Sequence, residues 1–406
     1  MGSISIDTFD QPAGDLNGEF LGGVSARIFE PLTVHNLLCP FVAVKQSKTS
    51  NTPSEHIFQP KDRFQVQISA RITITVTCEP LKITLISDTK YETNCKKTHN
   101  IFAINRNGEG IIMLKQIDAG VLNVAFEEEG DQDGIPVLLM HGFPYDVRAY
   151  DDVTPLLVAA GCRVISPYLR GYGPTRFLSK DTIRSGQQAV LAHDLLSLMD
   201  ALSISNAVLA GYDWGGRAAC IVAALWPERA RGLVSGCGYN IQDIPGSLKP
   251  QAPEDEFRYW YQYYFHGERG RAGLDQNRHE FCKLLWRLWS PNWRFDDATY
   301  ERTAASFKNP DFVEVVIHSY RHRYGLLPGD PAVEKTERLL VAQPQIAVPS
   351  VVLHGEGNGV SPFGGSEHHH KFFTAAYERR VIPSVGHDIP QEAPHDFAEA
   401  VLSVAQ

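Results

Sequence analysis

Cysteine is scarce in this chain, and its spacing fits neither a disulfide framework nor a metal site. Seven of the 406 residues are Cys, an odd number, and no two form a CxxC pair. Disulfide-stapled secreted domains and cysteine zinc sites both need paired, closely spaced thiols. The run of His368, His369 and His370 is no substitute, because consecutive helical side chains point in different directions. We therefore expect reduced thiols, a cytoplasmic location, and neither a metal nor a cofactor.

Positive charge and long hydrophobic runs are also lacking. The 38 basic residues are outnumbered by 47 acidic ones, for a net charge of −9, which argues against binding to nucleic acid or to an anionic membrane. No apolar stretch approaches the roughly 20 residues of a transmembrane helix. The first residues lack a signal-peptide pattern, and Ile6 stands where a myristoylation motif requires Ser or Thr. We expect no nucleic-acid partner and no membrane insertion; oligomeric state has no signature in the sequence.

A glycine-bounded turn that lacks serine is the most informative feature present. Residues 211–215 read GYDWG, after the apolar run 206–210 and before the helix-like stretch 217–222. Glycines on both sides allow a turn tight enough to raise Asp213 above the end of a strand. A carboxylate there can attack an electrophilic sp³ carbon and form an alkyl ester, which favours epoxides or alkyl halides over ordinary esters. The alternative is that Asp213 only caps the helix.

Three further segments bring chemical groups to strand ends. An apolar run at 135–140 leads into HGFP at 141–144, and a second at 162–167 precedes RGYG at 170–173. A third, at 381–385, leads into Gly386 and His387. Their order along the chain, each at the end of a strand, favours one active site over unrelated features.

With these motifs the chain resembles α/β-hydrolases of the epoxide hydrolase group, from about residue 113 to the C-terminus. Phe143 in HGFP, Tyr172 in RGYG, Asp213 in GYDWG and His387 after Gly386 carry the resemblance. It implies an α/β fold with a mostly parallel, twisted sheet flanked by helices, and a helical cap inserted into it.

The resemblance also implies roles for the motif residues. Asp213 would be the nucleophile, and His387 the base that activates water against the ester. The backbone N–H groups of Phe143 and Trp214 would form the oxyanion hole.

The region 241–348 interrupts the alternation of strands and helices and is rich in aromatic residues, so we expect it to be the cap. The resemblance implies that Tyr261 in YQYYF and Tyr320 in SYR hold the epoxide oxygen, because a phenol can hydrogen-bond and protonate the forming alkoxide. A leaving halide needs N–H donors, and Trp214 is the one side-chain candidate. Epoxides are therefore favoured, and the aromatic cap predicts a small apolar or aromatic substrate.

One position departs from the family. The acid that orients the catalytic His falls at Asn358, after the run 350–355, and an amide carries no charge to stabilise an imidazolium. Glu356 two residues earlier, or Asp243 after the preceding strand, could replace it. Otherwise hydrolysis of the ester is impaired. We favour a compensating acid.

Residues 1–110 differ from the rest of the chain in charge and in residue pattern. Between Lys45 and Arg106 there are 10 basic and 5 acidic residues, and β-branched residues alternate at 72–77 and 83–86. This extension is a small β-rich appendage, a poorly ordered segment, or sequence that is not authentic coding sequence. The hydrolase core would comprise residues 111–240 and 349–406, and would begin with a hairpin turning at Gly120.

The expected reaction is hydrolysis of an epoxide to a vicinal diol through an Asp213 ester. Two alternatives stay open: a haloalkane dehalogenase of the same fold, and a hydrolase-fold protein that binds a ligand without turnover. Asn358 lends weight to the second, whereas Asp213, His387 and the two tyrosines argue against it.

Overall fold

The computed structural model describes residues 110–405 and, before them, the segments 43–45, 55–57, 73–77, 82–86 and 100–106. The chain divides into two compact units, Met1–Lys115 and Gln116–Gln406. The described strands up to residue 119 are β1 Ala43–Lys45, β2 Glu55–Ile57, β3 Thr73–Thr77, β4 Lys82–Ile86, β5 Asn100–Arg106 and β6 Gly110–Ala119.

In the first unit, four strands form a sheet in the order β2-β1-β4-β3. β3 and β4 are antiparallel, with Thr73 opposite Ile86, and they coincide with the alternating segments of the sequence. The remainder of the predicted extension lies outside the described residues, so its order and authenticity stay predictions.

The second unit is built on one open sheet. After β6 its strands are β7 Leu122–Glu129, β8 Ile135–Met140, β9 Cys162–Pro167, β10 Arg176–Phe177, β11 Ala207–Gly211, β12 Ala230–Gly236, β13 Ser350–Gly355 and β14 Tyr377–Ile382. They run in the order β14-β13-β12-β11-β8-β9-β7-β6, with β10 beside β7. Strands β8, β9 and β11 to β14 pair in parallel, whereas β7 is antiparallel to β9 and to β10.

Helices cover this sheet in two layers. One contains α1 Val153–Ala159 and α12 Pro394–Ala405, and the other contains α2 Gln188–Ala201 and α3 Asp213–Leu225. Every residue of β11 and β13 is buried, as expected for parallel strands covered on both faces. The predicted mostly parallel sheet flanked by helices is therefore what the chain forms. The predicted first hairpin joins β6 to β7, and Gly120 at its turn has a φ of 59°, a left-handed conformation that glycine tolerates.

A helical segment separates β12 from β13. Its helices are α4 Pro253–Arg258, α5 Trp260–Tyr264, α6 Glu268–Gln276, α7 Arg278–Trp289, α8 Asp297–Ala304, α9 Phe312–Arg323 and α10 Glu334–Leu340. The short helix α11, Ile389–Glu392, precedes α12. Trp286 and Trp289 of α7 are almost fully buried, so this face of the segment packs like a protein core. Among the described residues, no helix is both long and apolar enough to cross a bilayer.

Candidate active site

Asp213 stands at a strained turn between β11 and α3. Its φ of 49° is costly for any residue with a Cβ and is tolerated where the surroundings over-determine it. A Cβ on Gly211 would meet the Met140 carbonyl, and one on Gly215 would overlap the same atom, so both glycines are needed for the close approach to β8. Tyr212, not Asp213, is the N-cap of α3. The helix-cap interpretation of Asp213 therefore does not describe this turn.

The carboxylate of Asp213 is held from the β8 side. Its Oδ1 accepts a hydrogen bond from the backbone N–H of Phe143 at 2.8 Å. The ring of Phe143 stacks against that of Trp214, with 5.9 Å between centroids. The indole Nε1 of Trp214 is buried with no hydrogen-bond partner in residues 110–405. The structure thus brings both predicted oxyanion residues to the nucleophile.

His387 reaches the other carboxylate oxygen. Its Nε2 lies 3.7 Å from Oδ2 of Asp213, and the residue is 3% exposed. The backbone N–H of His387 donates to Oγ of Ser290 at 3.0 Å, which fixes the loop after β14. β14 ends at Ile382, so a short loop rather than the strand itself delivers the histidine.

The charges of this pair reinforce each other. Burial alone would lower the pKa of His387, but Cys237 and Asp213 outweigh it and raise that pKa to about 10. Burial would likewise raise the pKa of Asp213, yet His387, Arg217 and the Phe143 N–H together hold it below the usual value. The resting pair is accordingly a carboxylate facing an imidazolium.

Asn358 lies at Nδ1 of His387, where the family acid is expected. Its Oδ1 accepts from the backbone N–H groups of Val360 at 3.0 Å and Ser361 at 2.8 Å. The amide nitrogen is therefore turned inward, 3.1 Å from Nδ1 of His387. A side-chain donor, rather than an acceptor, faces the imidazole.

Neither carboxylate proposed as a substitute contacts His387. Glu356 is exposed, and its Oε2 accepts from the backbone N–H of Ser384 at 3.3 Å. Asp243 is also exposed, and its Oδ1 accepts from the backbone N–H of Gly246 at 3.0 Å. Glu356 thus contacts the loop after β14 and Asp243 a turn three residues on, and both side chains are exposed whereas the imidazole is buried.

Cys237 is the residue that sequence reasoning missed. It directly follows β12, and its Sγ lies 3.7 Å from Nδ1 of His387 and 3.1 Å from Nδ2 of Asn358. Its φ of 71° is unusual for a residue other than glycine. A substitute acid was expected after this strand, but a thiol has no motif that would have marked it.

Two tyrosines of the helical segment between β12 and β13, Tyr261 and Tyr320, lie beside each other and near the nucleophile. Tyr261 and Tyr320 are 3% and 1% exposed, and their rings are 5.4 Å apart, edge to face. The ring of Tyr320 lies 5.6 Å from that of Phe143. Burial raises the pKa of each phenol above its usual value, and the charge of Asp213 adds to this. Both are therefore protonated donors.

Trp289 closes the remaining side. Its ring lies 5.2 Å from that of His387, 5.1 Å from that of Tyr261 and 6.2 Å from that of Phe143. Trp289 belongs to the aromatic-rich region 241–348, and in the structure it forms a wall of the site. Residues 110–405 contain no group of three His, Cys, Asp or Glu side chains suited to a metal ion.

Comparison with known proteins agrees with this geometry. The family model of the alpha/beta hydrolase fold matches residues 135–394. The crystal structure of a candidate epoxide hydrolase from Klebsiella pneumoniae is 48% identical, covering 72% of this chain and 97% of that one, with a TM-score of 0.70.

Curated relatives include both predicted activities. A haloalkane dehalogenase of Psychrobacter cryohalolentis is 25% identical over 297 residues, 72% of this chain and 90% of that enzyme. Epoxide hydrolase B of Mycobacterium tuberculosis is 32% identical over 148 residues, 33% of this chain and 41% of that enzyme. The predicted fold and family are confirmed: the chain is a hydrolytic enzyme of the α/β-hydrolase family, in the group that contains the epoxide hydrolases.

Proposed function

We propose that this enzyme opens epoxides to vicinal diols through an ester on Asp213. The observation that carries the proposal is the convergence on Asp213 of three different groups. The Phe143 N–H holds one carboxylate oxygen, His387 faces the other, and two buried phenols lie above. A nucleophile, a base and a pair of acids in one buried site are what ring opening followed by ester hydrolysis requires.

In the first step, Asp213 Oδ2 attacks a ring carbon and the bond from that carbon to the ring oxygen breaks. Tyr261 or Tyr320 gives its proton to the alkoxide, which leaves a 2-hydroxyalkyl ester and a tyrosinate. The negative charge of Asp213 is lost in this step. Since that charge helps to raise the pKa of His387, its loss releases the imidazolium proton, which restores the phenol.

In the second step, neutral His387 takes a proton from water, and the hydroxide attacks Cγ of Asp213. The backbone N–H groups of Phe143 and Trp214 stabilise the tetrahedral oxyanion. The diol leaves with a proton from His387, and the new carboxylic acid returns its proton to the imidazole. Epoxide and water are consumed, the diol is formed, and the resting ion pair is restored.

This base step needs the proton of His387 on Nδ1, because Nε2 must be free to accept from water. Asn358 offers a donor to Nδ1, which by itself favours the opposite tautomer. In a serine protease, the analogous Asp-to-Asn change lowers kcat by about 10⁴ for this reason. A compensating acceptor at Nδ1 is therefore required.

Cys237 is that acceptor. Its Sγ lies 3.7 Å from Nδ1 of His387, within the range of a hydrogen bond to sulfur, and it also accepts from Nδ2 of Asn358 at 3.1 Å. Cys237 would then act as a positioning residue that accepts the Nδ1–H of His387 and so fixes the tautomer.

A second candidate is dehalogenation of haloalkanes. It is favoured by the buried Trp214 Nε1, a donor without a partner among residues 110–405, and by the similarity to a haloalkane dehalogenase. Trp286, another indole near the cap, already donates to the Pro144 carbonyl at 2.8 Å. The phenol pair favours epoxides.

A substrate panel separates the candidates. Purified enzyme is incubated with matched epoxides and haloalkanes, with diol and halide as readouts and Asp213→Asn as the inactive control. We expect diol from epoxides and little halide. Halide release without diol would support the dehalogenase. Turnover of neither, with no ester on the protein, would support a binding protein.

A further inference from the structure

A buried arginine near the nucleophile has N–H groups that no hydrogen bond within residues 110–405 satisfies. Arg217 is 8% exposed, and its Nε and Nη1 are buried without a hydrogen-bond partner among residues 110–405. A buried cation is costly unless it is paired or hydrogen-bonded. Arg170, the other buried arginine among residues 110–405, is 2% exposed, and its charge is paired and hydrogen-bonded. It donates twice to Asp194 at 2.6 Å and once to the Ser185 carbonyl.

Arg217 belongs to the proposed active site by its position on α3. It lies in the first part of α3, four residues after Asp213, and each of the two groups favours the charged form of the other. Asp213 and the phenols of Tyr261 and Tyr320 are the groups that favour its charged form, whereas burial and the nearby Arg323 lower its pKa to about 10. The guanidinium therefore interacts electrostatically with the same residues that are proposed to attack and hold the epoxide ring.

A second cation, Arg323, lies against the ring of Tyr320. Arg323, the last residue of α9, lies with its guanidinium carbon 4.9 Å from the ring centroid of Tyr320. It donates to Oε1 of Gln262 at 3.0 Å, and Gln262 in turn donates to the hydroxyl of Tyr261. Arg217 and Arg323 are thus two cations beside the tyrosines, and Asp213, the carboxylate that favours the charged form of Arg217, is already opposed by His387. The site has an excess of positive charge that a neutral epoxide would leave unbalanced.

We propose that Arg217, assisted by Arg323, is an anion subsite, and that the substrate is an epoxide bearing a carboxylate close to the ring. This inference rests on the proposed function and names its substrate class. Arg217 presents the planar, multi-donor group suited to a carboxylate. Its nearness to Asp213 requires the carboxylate to lie within a few bonds of the attacked carbon. The aromatic wall of Phe143, Trp289 and Tyr320 then receives an apolar skeleton, as the cap composition predicted.

The position of Arg217 also bears on the repulsion between two carboxylates in the reaction. A carboxylate substrate would be repelled by the carboxylate nucleophile, and Arg217 lies where it can offset that repulsion. When Asp213 becomes an ester, its charge disappears, and the substrate carboxylate becomes the anion that pairs with Arg217. The cation therefore has an anionic partner throughout turnover.

The test compares two epoxides of the same shape and different charge, 3-phenylglycidate and 3-phenylglycidamide. We expect the wild type to prefer the carboxylate in kcat/KM by at least about tenfold, the size of one hydrogen bond to a charged group. In Arg217→Gln the preference should fall by about 10- to 100-fold. Arg217→Lys should restore part of it. Arg287→Gln, on the exposed face of α7, should keep the wild-type preference.

Two results would overturn the subsite. One is equal use of both epoxides by the wild type. The other is an equal loss on both substrates in Arg217→Gln, which would mean that Arg217 stabilises the alkoxide rather than a substrate carboxylate. Circular dichroism and thermal melting confirm that each variant folds.

A binding measurement keeps this proposal separate from the proposed function. In Asp213→Asn no ester can form, so calorimetry reports the affinity for 3-phenylglycidate alone. We expect the additional change Arg217→Gln to weaken that affinity by about 10- to 100-fold. If no epoxide is turned over but this dependence is found, the subsite stands and the hydrolase chemistry fails. If uncharged epoxides are hydrolysed and 3-phenylglycidate neither binds nor reacts, the hydrolase stands and the subsite fails.

Discussion

Asn358 turns a hydrogen-bond donor toward His387, with its Nδ2 3.1 Å from Nδ1 of the imidazole. The amide cannot rotate freely, because its oxygen is engaged by the N–H groups of Val360 and Ser361. The residue at the acid position therefore opposes the tautomer that a general base needs. Any turnover by this enzyme has to depend on another group at the same nitrogen, and Cys237 is the neighbour that can serve.

Replacing Cys237 should separate the two half-reactions. A serine at this position has nearly the same size, but its C–O bond is shorter than the C–S bond, so its oxygen would lie farther than 3.7 Å from Nδ1 of His387 and out of hydrogen-bond range. Cys237→Ser should therefore still form the ester and hydrolyse it slowly. We expect hydrolysis to fall by up to the roughly 10⁴ of the serine protease analogue, with alkyl-enzyme accumulating in intact-protein mass spectra. Cys162→Ser, a buried cysteine on β9, is the matched control and should show no accumulation. Absence of trapped ester in Cys237→Ser would remove this cysteine from the mechanism.

Asn358→Asp tests the same relationship from the other side. An aspartate can accept from Val360 and Ser361 with one oxygen and from Nδ1 of His387 with the other. In the wild-type background we expect little change in turnover, because Cys237 already holds the tautomer. In the Cys237→Ser background the same substitution should restore hydrolysis. A large acceleration by Asn358→Asp alone would instead mean that nothing compensates in the natural enzyme.

The cap tyrosines should control ring opening and not ester hydrolysis. Tyr261→Phe and Tyr320→Phe each remove one hydrogen bond to a developing alkoxide, which corresponds to a rate loss of about 10- to 100-fold. The double variant should lose about the 10²–10⁴-fold of general acid catalysis. Rapid-quench measurement of ester formation reports this step directly. Tyr300→Phe, whose hydroxyl donates to the His279 carbonyl on the adjacent helix, is the control. Full epoxide activity in both single variants would favour the dehalogenase.

The stability of the resting ion pair should depend on pH in a defined direction. The pKa of His387 is raised from about 6.5 to about 10 in the folded protein, so the folded state binds more protons than the unfolded state between these values. The stabilisation is fully present below about pH 6.5 and is lost as pH rises through about 10. Denaturant titrations across this range should show a decline in the free energy of unfolding that is smaller in His387→Gln. His395→Gln, exposed on α12, should retain the wild-type decline; an unchanged decline in His387→Gln would contradict the raised pKa.

The sequence predicted those parts of the site that local structure determines. Residues 211–215 encode their own turn, since only glycine fits the approach of Gly215 to the Met140 carbonyl. The apolar runs before Phe143 and Asp213 are buried parallel strands whose ends meet at one edge of the sheet. For these residues, their order along the chain and the pattern of apolar residues before them were sufficient to predict that they lie in one site.

The groups that contact Nδ1 of His387 could not be predicted from local sequence in the same way. Cys237 and Asn358 are 121 residues apart and meet only because β12 and β13 are neighbours in the sheet. Glu356, although two residues from Asn358, lies on the exposed side of its loop, since nearness in sequence does not determine side-chain direction. The sequence placed Arg217 on a helix, but its neighbours Tyr320 and Arg323 belong to α9, about 100 residues away in the chain, so its environment could not be read locally.

A single turnover in heavy-oxygen water tests the central claim most directly. Enzyme in excess over epoxide is quenched after one turnover, and the label is located by mass spectrometry of the diol and of the peptide that contains Asp213. If water attacks Cγ of an Asp213 ester, the heavy oxygen remains in the Asp213 carboxylate and the first diol is unlabelled. Heavy oxygen in the diol, with none in the Asp213 peptide, would show direct attack of water on the epoxide and would contradict the covalent mechanism.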